Sequence, residues 1–307
     1  MQLPQQVCRA IEERAAAVDL AALERAAAAM SEAYRGARTA RLGAGDRTAA
    51  YLVTRMPATY AAARAALGEL RARLGDTPIE SVLDVGAGTG AASLAARECW
   101  GHTISVTMVE RDDAFSEAAR QWLPDGRVAR DDLMRVESLP PHDLVIAAYS
   151  VGELGRPMAG LLWKAARVAL VVVEPGTTRG YRLCLAIRDE LLKAGAHIAA
   201  PCPAASECPL RAPDWCHFAA RVERSRLHRR IKGAELGYED EKFSYVALTR
   251  EPVPLPRARV IRRPVHVPGL IELRTCTAAG ARSEQVRKRD REAYRVARHA
   301  TWGDALS

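Results

Sequence analysis

The feature that most constrains the fold of this chain is a glycine-rich string, Leu83-Asp-Val-Gly-Ala-Gly-Thr-Gly90, between a short apolar run and a helical pattern. Glycines 86, 88 and 90 let the backbone turn tightly and approach a ligand that a Cβ atom would exclude. The G-x-G-x-G spacing differs from the G-x-G-x-x-G of dinucleotide-binding proteins. A tight turn in an unrelated α/β protein would show the same string, so other residues must identify a ligand.

Beyond residue 77, short apolar runs alternate with helical patterns. The predicted strands cover residues 81–84, 104–109, 127–130, 143–148, 168–173 and 243–248. Helices are predicted between them at 91–99, 114–123, 158–166 and 181–193. This alternation indicates an α/β fold in which a parallel sheet is covered by helices on both faces.

Two helical patterns precede this sheet and a basic segment follows it. The patterns cover residues 4–35 and 47–74, with a glycine-containing loop at 36–46 and a second helix starting near Pro57. We therefore divide the chain into three parts. They are an N-terminal helical region (1–76), an α/β domain (77–250) with a Cys-rich insertion (200–235), and a small basic C-terminal extension with β-strands (251–307).

Composition excludes several classes of protein. Hydrophobic residues make up 49% of the 307 residues and charged residues 27%, which is ordinary for a globular chain and excludes a disordered one. No apolar stretch approaches the ~20 residues of a membrane-spanning helix. Glu12 and Glu13 lie where a signal peptide needs its apolar core. We expect a cytoplasmic monomer with no membrane contact.

Acidic residues lie at the ends of the first three predicted strands in a pattern that fits a nucleoside. Glu110 ends the second strand, twenty residues after Gly90, where its carboxylate can accept both hydroxyls of a ribose. Asp131 and Asp132 follow the third strand, within reach of an adenine amino group. Together with the loop, this pattern resembles the S-adenosylmethionine-binding half of class I methyltransferases. The predicted cofactor-binding residues are Asp84, Gly86, Gly88, Gly90, Glu110, Asp131 and Asp132.

Catalytic residues are not assigned by the sequence. The fourth strand ends in Ala147-Ala-Tyr-Ser150, not in the Asn/Asp-Pro-Pro-Tyr that grips an amino-group acceptor in many nucleic-acid methyltransferases. No Pro-Cys is present there to attack a pyrimidine ring. Tyr149, Glu153 and Glu174 are the polar residues near these strand ends that can orient an acceptor, and a structural role is open for each.

Three cysteines, Cys202, Cys208 and Cys216, lie within fifteen residues in a proline-rich stretch. Thiolates so close in a reducing compartment favour metal ligation over disulfides. A fourth ligand is usual, and Cys276 suits this role better than His217, because adjacent residues rarely point at one ion. Zinc and an iron–sulfur cluster both remain open, as do three plain buried thiols.

Positive charge is concentrated late in the chain, whose formal net charge is +8. Residues 211–233 hold seven Lys and Arg against two acids, and residues 250–307 hold thirteen against six. A localised basic region predicts contact with a polyanion, most simply RNA. The alternative is a solvated Arg-rich surface. The predicted RNA-binding residues are Arg287, Lys288, Arg289 and Arg291.

Several strings together resemble one family, the bacterial and mitochondrial methyltransferase-like factors of small-ribosomal-subunit assembly. The resemblance covers about residue 30 to the C-terminus, and its most specific part is the Cys-Pro loop followed by Trp-Cys-His-Phe. The matching strings are Arg55-Met-Pro-Ala-Thr-Tyr60, Leu83-Asp-Val-Gly-Ala-Gly-Thr-Gly90, Ser150-Val-Gly-Glu-Leu154, Val173-Glu-Pro-Gly-Thr177, Pro201-Cys-Pro203, Cys208-Pro-Leu210, Trp215-Cys-His-Phe218, Tyr238-Glu-Asp-Glu-Lys-Phe-Ser-Tyr245 and Trp302-Gly-Asp304.

The resemblance implies S-adenosylmethionine binding, a 4Fe–4S cluster on Cys202, Cys208, Cys216 and Cys276, and docking on the small subunit and its rRNA. It also implies that the chain is either an rRNA methyltransferase or an assembly factor that keeps the cofactor fold without catalysis. A zinc-stabilised methyltransferase of a small molecule or protein is a third hypothesis. Acids at Glu12, Glu13 and Asp19 are unlike a mitochondrial transit peptide, so we expect a bacterial protein.

Overall fold

The computed structural model describes residues 2–34, 43–155 and 157–306. Within these ranges, no helix combines the length and the apolar character needed to cross a bilayer. Four helices come first: α1 (Gln5–Ala16), α2 (Leu20–Tyr34), α3 (Ala44–Thr54) and α4 (Met56–Leu74). The predicted helical stretch 4–35 is thus two helices. Residues 36–42 of the predicted loop lie outside the described residues, and the loop's last residues are helical, because α3 begins at Ala44. Pro57 lies in the first turn of α4, as predicted.

The α/β domain begins with five strands and the helices between them. In chain order these are β1 (Ser81–Val85), α5 (Ala91–Trp100), β2 (Ser105–Val109), α6 (Asp113–Trp122), β3 (Arg127–Ala129), β4 (His142–Ala148), α7 (Val151–Leu154), α8 (Ala159–Ala165), β5 (Ala166–Pro175) and α9 (Thr178–Lys193). The first five predicted strands each overlap one of these. The short helix α7 was not predicted.

The sheet is mixed, so the prediction of a parallel sheet is correct only for its first five strands. After α9 come β6 (His197–Ala200), β7 (Phe218–Glu223), α10 (Arg226–Ile231) and β8 (Tyr238–Thr249). The strand order is β3-β2-β1-β4-β5-β8-β6, with β7 also paired to β8. The strand β8 runs antiparallel to β5, β6 and β7. An apolar run such as 243–248 marks a strand but carries no information about its direction.

Alternate residues of the central strands belong to two separate apolar layers. Leu144 and Ile146 pack with the N-terminal helices and α5, whereas Val145 and Ala147 pack with α8 and α9. Successive side chains of a strand point to opposite faces, so a strand buried on both faces is apolar at every position. The predicted covering of both faces by helices is confirmed.

The C-terminal extension forms a second, antiparallel sheet. Its elements are β9 (Ala258–Val260), β10 (Val265–Val267), β11 (Leu270–Thr277), β12 (Gly280–Arg287), α11 (Arg291–His299) and β13 (Ala305–Leu306). The strand β11 pairs with β9, β10 and β12, and β9 pairs with β13. A small core contains Val260, Ile271, Leu273, Ala297 and Ala300. The extension therefore has apolar packing of its own.

Candidate functional site

A cavity of about 320 Å³ lies at the carboxyl ends of β1, β2 and β4. This edge, where the strand order reverses between β1 and β4, is where open α/β sheets bind ligands. Of the predicted cofactor residues, six line the cavity: Asp84, Gly86, Gly88, Glu110, Asp131 and Asp132. Gly90 does not line it. A Cβ atom on Gly90 would lie 3.1 Å from Leu123 Cδ1, so this glycine serves packing against the segment after α6.

The glycine loop is held against the end of β2 by its backbone. The amides of Gly86 and Ala87 both donate to the carbonyl of Val109, at 2.9 and 3.0 Å. Gly86 and Gly88 have φ angles of +73° and +54°, which favour glycine. A Cβ atom on Gly86 would meet Ser150 Cβ at 2.5 Å, whereas one on Gly88 would meet nothing closer than 3.9 Å. Only Gly88 therefore leaves open space toward the cavity.

Glu110 fixes the loop as well as facing the cavity. Its Oε2 accepts a hydrogen bond from the Gly88 amide at 2.8 Å, and its Oε1 accepts one from the Asp112 amide at 2.8 Å. Each carboxylate oxygen has a second lone pair. Glu110 can therefore hold the loop and still accept from the hydroxyls of a ribose.

Asp84 is a buried carboxylate with one oxygen left over. Its Oδ2 accepts from the amide and hydroxyl of Ser93, at 3.0 and 2.7 Å. Its Oδ1 is buried and has no hydrogen-bond partner among the described residues. Burial raises the pKa of Asp84 to about 6, against the hydrogen bonds from Ser93 that lower it. A ligand that brings a cationic donor would satisfy Oδ1.

The two aspartates after β3 differ in their surroundings. Asp132 accepts from the Met134 amide at 3.0 Å and lies 3.7 Å from the Arg111 guanidinium, while Asp131 is exposed.

The N-terminal helical region contributes cavity residues that were not predicted from the sequence. Arg47 of α3 pairs with Asp112, and Tyr51 of α3 lies with its ring 4.8 Å from that of Phe115; all four residues line the cavity. No sequence pattern indicated that α3 reaches this edge.

The three polar residues considered for an acceptor lie on different elements: Tyr149 follows β4, Glu153 lies on α7 and Glu174 lies near the end of β5. Tyr149 is the non-glycine residue with positive φ, +58°, in the described ranges, and its hydroxyl donates to Glu241 Oε1 at 2.9 Å. Tyr149 and Glu153 line the cavity. Burial raises the pKa of Glu153 and raises that of Glu174 to about 7. Glu174 lies behind the cavity wall, where its carboxylate accepts from the Gly152 amide at 3.1 Å.

A second pocket, which we call the thiol pocket, is lined by Cys202, Cys208, Cys216 and Cys276 and has about 50 Å³ of free space. Burial raises the pKa of the Cys216 thiol well above its usual value, and the other three thiols raise it further. In residues 2–34, 43–155 and 157–306, no group of three or more His, Cys, Asp or Glu side chains forms a ready ion site.

The structure separates the four predicted ligands from the other candidates. His217 does not line the thiol pocket. Its ring stacks on that of Trp215 and packs edge to face with that of Trp302, with ring centroids 4.9 Å apart in both pairs. Cys184 of α9 does line it, which the sequence analysis did not predict. Burial raises the pKa of Cys184, and the charge that raises it further belongs to Glu174 and not to a thiolate.

Two buried arginines complete the wall of the thiol pocket. Arg259 is 1% exposed; its Nε donates to the Pro201 carbonyl at 2.9 Å, and its Nη1 donates to Glu69 Oε2 at 2.6 Å and to the Gly303 carbonyl at 2.7 Å. Arg188 is 3% exposed and donates to the Ser206 carbonyl at 2.6 Å. Nothing in the sequence distinguishes these two arginines from the chain's other basic residues.

The predicted RNA-binding residues form an exposed group at the turn between β12 and α11. Each of the four side chains is exposed, and none has an ion pair within the described part of the chain. The turn is fixed by the Lys288 amide, which donates to the Gly269 carbonyl at 2.9 Å. Unpaired, exposed cations on a fixed turn can contact a polyanion without first breaking internal ion pairs. The residues are Arg287, Lys288, Arg289 and Arg291.

The fold is an open α/β sheet with a ligand-sized cavity where the strand order reverses. Comparison with known proteins identifies the family. The family model described as mitochondrial small ribosomal subunit Rsm22 matches residues 46–307. The chain belongs to the Rsm22 family, which confirms the resemblance found in the sequence.

Among curated relatives, the human mitochondrial ribosome assembly protein METTL17 is 29% identical over 289 residues, covering 83% of this chain and 61% of that protein. The mitochondrial Rsm22-cox11 tandem protein 2 of Schizosaccharomyces pombe is 23% identical, covering 83% of this chain and 42% of that protein. The chain thus spans less than two thirds of the length of these relatives.

Solved structures similar to the chain include two methyltransferases. A SAM-dependent methyltransferase from Aquifex aeolicus has 17% identity and a TM-score of 0.39, covering 65% of this chain and 95% of that one. A TehB-like SAM-dependent methyltransferase from Corynebacterium glutamicum has 18% identity and a TM-score of 0.38, covering 60% of this chain and 87% of that one.

S-adenosylmethionine, the cofactor that the sequence predicts for this cavity, carries an ammonium group that favours an ionised carboxylate. The unsatisfied oxygen of Asp84 therefore predicts that affinity for this ligand depends on pH. Burial raises the pKa of Asp84 in the free protein to about 6, so the carboxyl is mostly protonated below that pH. Binding of the ammonium group must then remove this proton, and the free energy needed to do so lowers the affinity. We expect calorimetric titration to show affinity falling as pH is lowered from 7 to 5, by up to about tenfold per pH unit.

The Asp84→Asn variant should bind more weakly at pH 7 and should lose this dependence. Asp125→Asn, which removes an exposed carboxylate paired with Arg97 outside the cavity, is the matched control and should keep the wild-type profile. An Asp84→Asn variant with the wild-type pH profile would exclude Asp84 as the ammonium ligand.

Proposed function

We propose that the chain is an S-adenosylmethionine-binding, methyltransferase-like protein that acts on or binds small-subunit rRNA in ribosome assembly, and that a 4Fe–4S cluster stabilises it. Membership of the Rsm22 family and the name of the human relative support the ribosomal role. The observation that carries the proposal is structural. Cysteines from two distant segments line one pocket, which lies between the α/β domain and the basic C-terminal sheet.

The cavity at the carboxyl ends of the strands suits S-adenosylmethionine part by part. Glu110 lies at the end of β2 with lone pairs available for ribose hydroxyls. Asp84 Oδ1 is a buried acceptor for the ammonium group, and Asp131 and Asp132 line the cavity beyond β3, where an adenine amino group needs an acceptor. One ligand that carries an adenosine and an amino acid satisfies all of these groups.

The four thiolates suit a multinuclear cluster better than a single ion. A tetrahedral zinc site holds each sulfur ~2.3 Å from the ion and leaves no free space at its centre. The thiol pocket has about 50 Å³ of free space. When bound, the cluster would cross-link the two segments that carry its four ligands. Cys202, Cys208 and Cys216 would attach it to the α/β domain, and Cys276 to β11.

Two candidate functions differ in whether a methyl group is transferred. The backbone of Tyr149 favours catalysis, because a residue held at positive φ on a cavity wall is typical of active sites. The Tyr149 hydroxyl favours binding alone, since it is engaged with Glu241 and not directed to an acceptor. We give the enzyme first place, with a non-catalytic assembly factor as the alternative. A zinc-stabilised methyltransferase of a small molecule or protein is the third.

Mapping of methylated nucleotides in small-subunit rRNA distinguishes the first two functions. The enzyme predicts that a strain deleted for the gene loses a methyl group at a defined nucleotide, and that purified protein with S-adenosylmethionine restores it. Protein carrying Gly86→Val should fail to restore it, because a side chain there collides with Ser150. Unchanged methylation together with defective small subunits would instead establish the assembly factor.

Contact with rRNA through the β12–α11 turn predicts a steep dependence of affinity on salt. Replacing Arg287, Lys288, Arg289 and Arg291 by glutamine should weaken binding, because each cation that neutralises a phosphate releases counterions. The slope of log affinity against log salt should fall by roughly one for each phosphate that is no longer neutralised. The slope is measured by fluorescence anisotropy on a labelled small-subunit rRNA fragment.

The matched control for this variant removes the same charge elsewhere. Arg9, Arg25, Arg120 and Arg167 are exposed arginines outside the C-terminal sheet, and their replacement should leave the slope nearly unchanged. Equal slopes for the two quadruple variants would mean that the turn contributes only general charge.

Removal of the fourth thiol should release the cluster. Anaerobically purified wild-type protein should be brown and contain iron and sulfide, and Cys276→Ser should lose colour and iron while keeping its affinity for S-adenosylmethionine. Cys99→Ser is the control, because Cys99 lies on α5 and does not line the thiol pocket. Iron and sulfide retained at the wild-type level in Cys276→Ser would exclude Cys276 as a ligand. A colourless wild-type protein with one zinc would overturn the iron–sulfur assignment.

A further inference from the structure

We propose that Arg259 is a positioning residue for the group that the four cysteines hold, with its free Nη2 donating to that group and its charge offsetting that group's negative charge. The inference rests on the proposed function only in requiring that the four thiolates bind a metal group. Retention of that group would then depend on Arg259 as well as on the four cysteines.

The hydrogen bonds of Arg259 leave one nitrogen without a partner. The guanidinium uses Nε and Nη1 for two carbonyls and one carboxylate, and its Nη2 is buried with no hydrogen-bond partner among the described residues. An unsatisfied buried donor on a charged group costs more than one on a neutral group. Such an orphan atom in the wall of a pocket indicates an acceptor that binds there.

The location of Arg259 connects it to both segments that carry the ligands. It lies directly opposite Cys276 in the antiparallel pairing of β9 with β11, and directly opposite residues share one face of a sheet. Its Nε binds the carbonyl of Pro201, the residue before Cys202. Arg259 is therefore fixed beside the first and the fourth of the proposed ligands.

The charge of the proposed group would be offset by a cation at this place. A metal group held by four thiolates is an anion overall, and burying an anion without a compensating charge or donor is costly. Glu69 forms an ion pair with Nη1 of Arg259. The Glu69 side chain is 30% exposed, so solvent screens part of its negative charge. Hydrogen bonds and charge near the sulfur atoms are what set the stability and potential of such groups.

Arg188 is the other arginine of the wall, but its contacts differ. Its Nη1 is paired with Asp189, and its Nη2 donates to the carbonyls of Ala204 and Ser206 within the Cys-rich loop. These bonds engage both terminal nitrogens of Arg188, and its guanidinium also forms a hydrogen bond with the side chain of Cys202. Among the described residues that line the thiol pocket, Arg259 is the arginine whose terminal nitrogen has no partner.

The test compares Arg259→Gln, Arg259→Lys and Arg97→Gln in the full chain, purified without oxygen. Arg97 is the matched control, because it is 8% exposed and paired with Asp125 but does not line the thiol pocket. The measurement is the rate at which a chelator removes the bound metal. We expect release from Arg259→Gln to be about 10- to 100-fold faster than from wild type. Arg259→Lys should show a smaller acceleration, and Arg97→Gln none.

A merely structural role for Arg259 would also loosen the pocket, so a second measurement is needed. The midpoint potential of the protein that is still loaded should become more negative in Arg259→Gln, since this variant lacks the donor and the positive charge. A purely structural role would leave that potential unchanged, and this result would overturn the proposal. Unchanged affinity for S-adenosylmethionine serves as the check that the variant is folded.

The remaining outcomes are equally decisive. If wild type holds iron and sulfide but Arg259→Gln releases them at the wild-type rate, the inference is wrong and the cluster assignment stands. If wild type holds zinc, the cluster assignment is wrong, and the same release rates still decide the role of Arg259. If Arg259→Gln does not fold, Arg259→Lys decides: release at the wild-type rate overturns the inference. A wild-type protein that binds no metal overturns both.

Discussion

The buried guanidinium of Arg259 joins the three parts into which the sequence divides this protein. It binds Glu69 of the N-terminal helical region, the carbonyl of Pro201 in the Cys-rich loop, and the carbonyl of Gly303 near the C-terminus. Burying a charge is costly unless it is paired and hydrogen-bonded, so these three contacts stabilise the placement of the C-terminal sheet against the rest of the chain. The thiol pocket is formed at this junction.

The same arrangement explains why two ligand sites coexist in one chain without overlapping. The larger cavity lies at the carboxyl ends of the parallel strands, where the strand order reverses and the glycine loop turns. The thiol pocket lies beyond β5, where the antiparallel strand β8 and the C-terminal sheet extend the fold. Occupation of the thiol pocket would therefore affect mainly the placement of the basic sheet, and the cofactor crevice only indirectly.

Much of the candidate site was predictable because local sequence determines it. The glycine loop needs residues that tolerate positive φ, and Glu110 follows the loop at a distance fixed by one helix and one strand. The four cysteines are identified by their residue type and by the proline-rich stretch around three of them. Each of these features is determined by a short stretch of chain. In the fold, Glu110 and glycines 86 and 88 line the larger cavity, and the four cysteines line the thiol pocket.

The remaining features depend on contacts between distant residues. The direction of β8 follows from its pairing with β5 and β7, which the apolar pattern of 243–248 does not encode. The reach of Arg47 and Tyr51 into the crevice depends on how α3 packs. In the sequence, Arg259 is indistinguishable from the chain's other arginines, and its role becomes visible only through its buried contacts and its unpaired Nη2.

The central claim is that four thiolates hold one iron–sulfur cluster at the junction of the α/β domain and the C-terminal sheet. Anomalous X-ray diffraction on both sides of the iron absorption edge, from crystals grown without oxygen, tests it most directly. The claim predicts one compact iron peak in the thiol pocket, surrounded by the sulfur atoms of Cys202, Cys208, Cys216 and Cys276. An anomalous peak at the zinc edge alone, or iron bound through another residue in place of one of these cysteines, would contradict it.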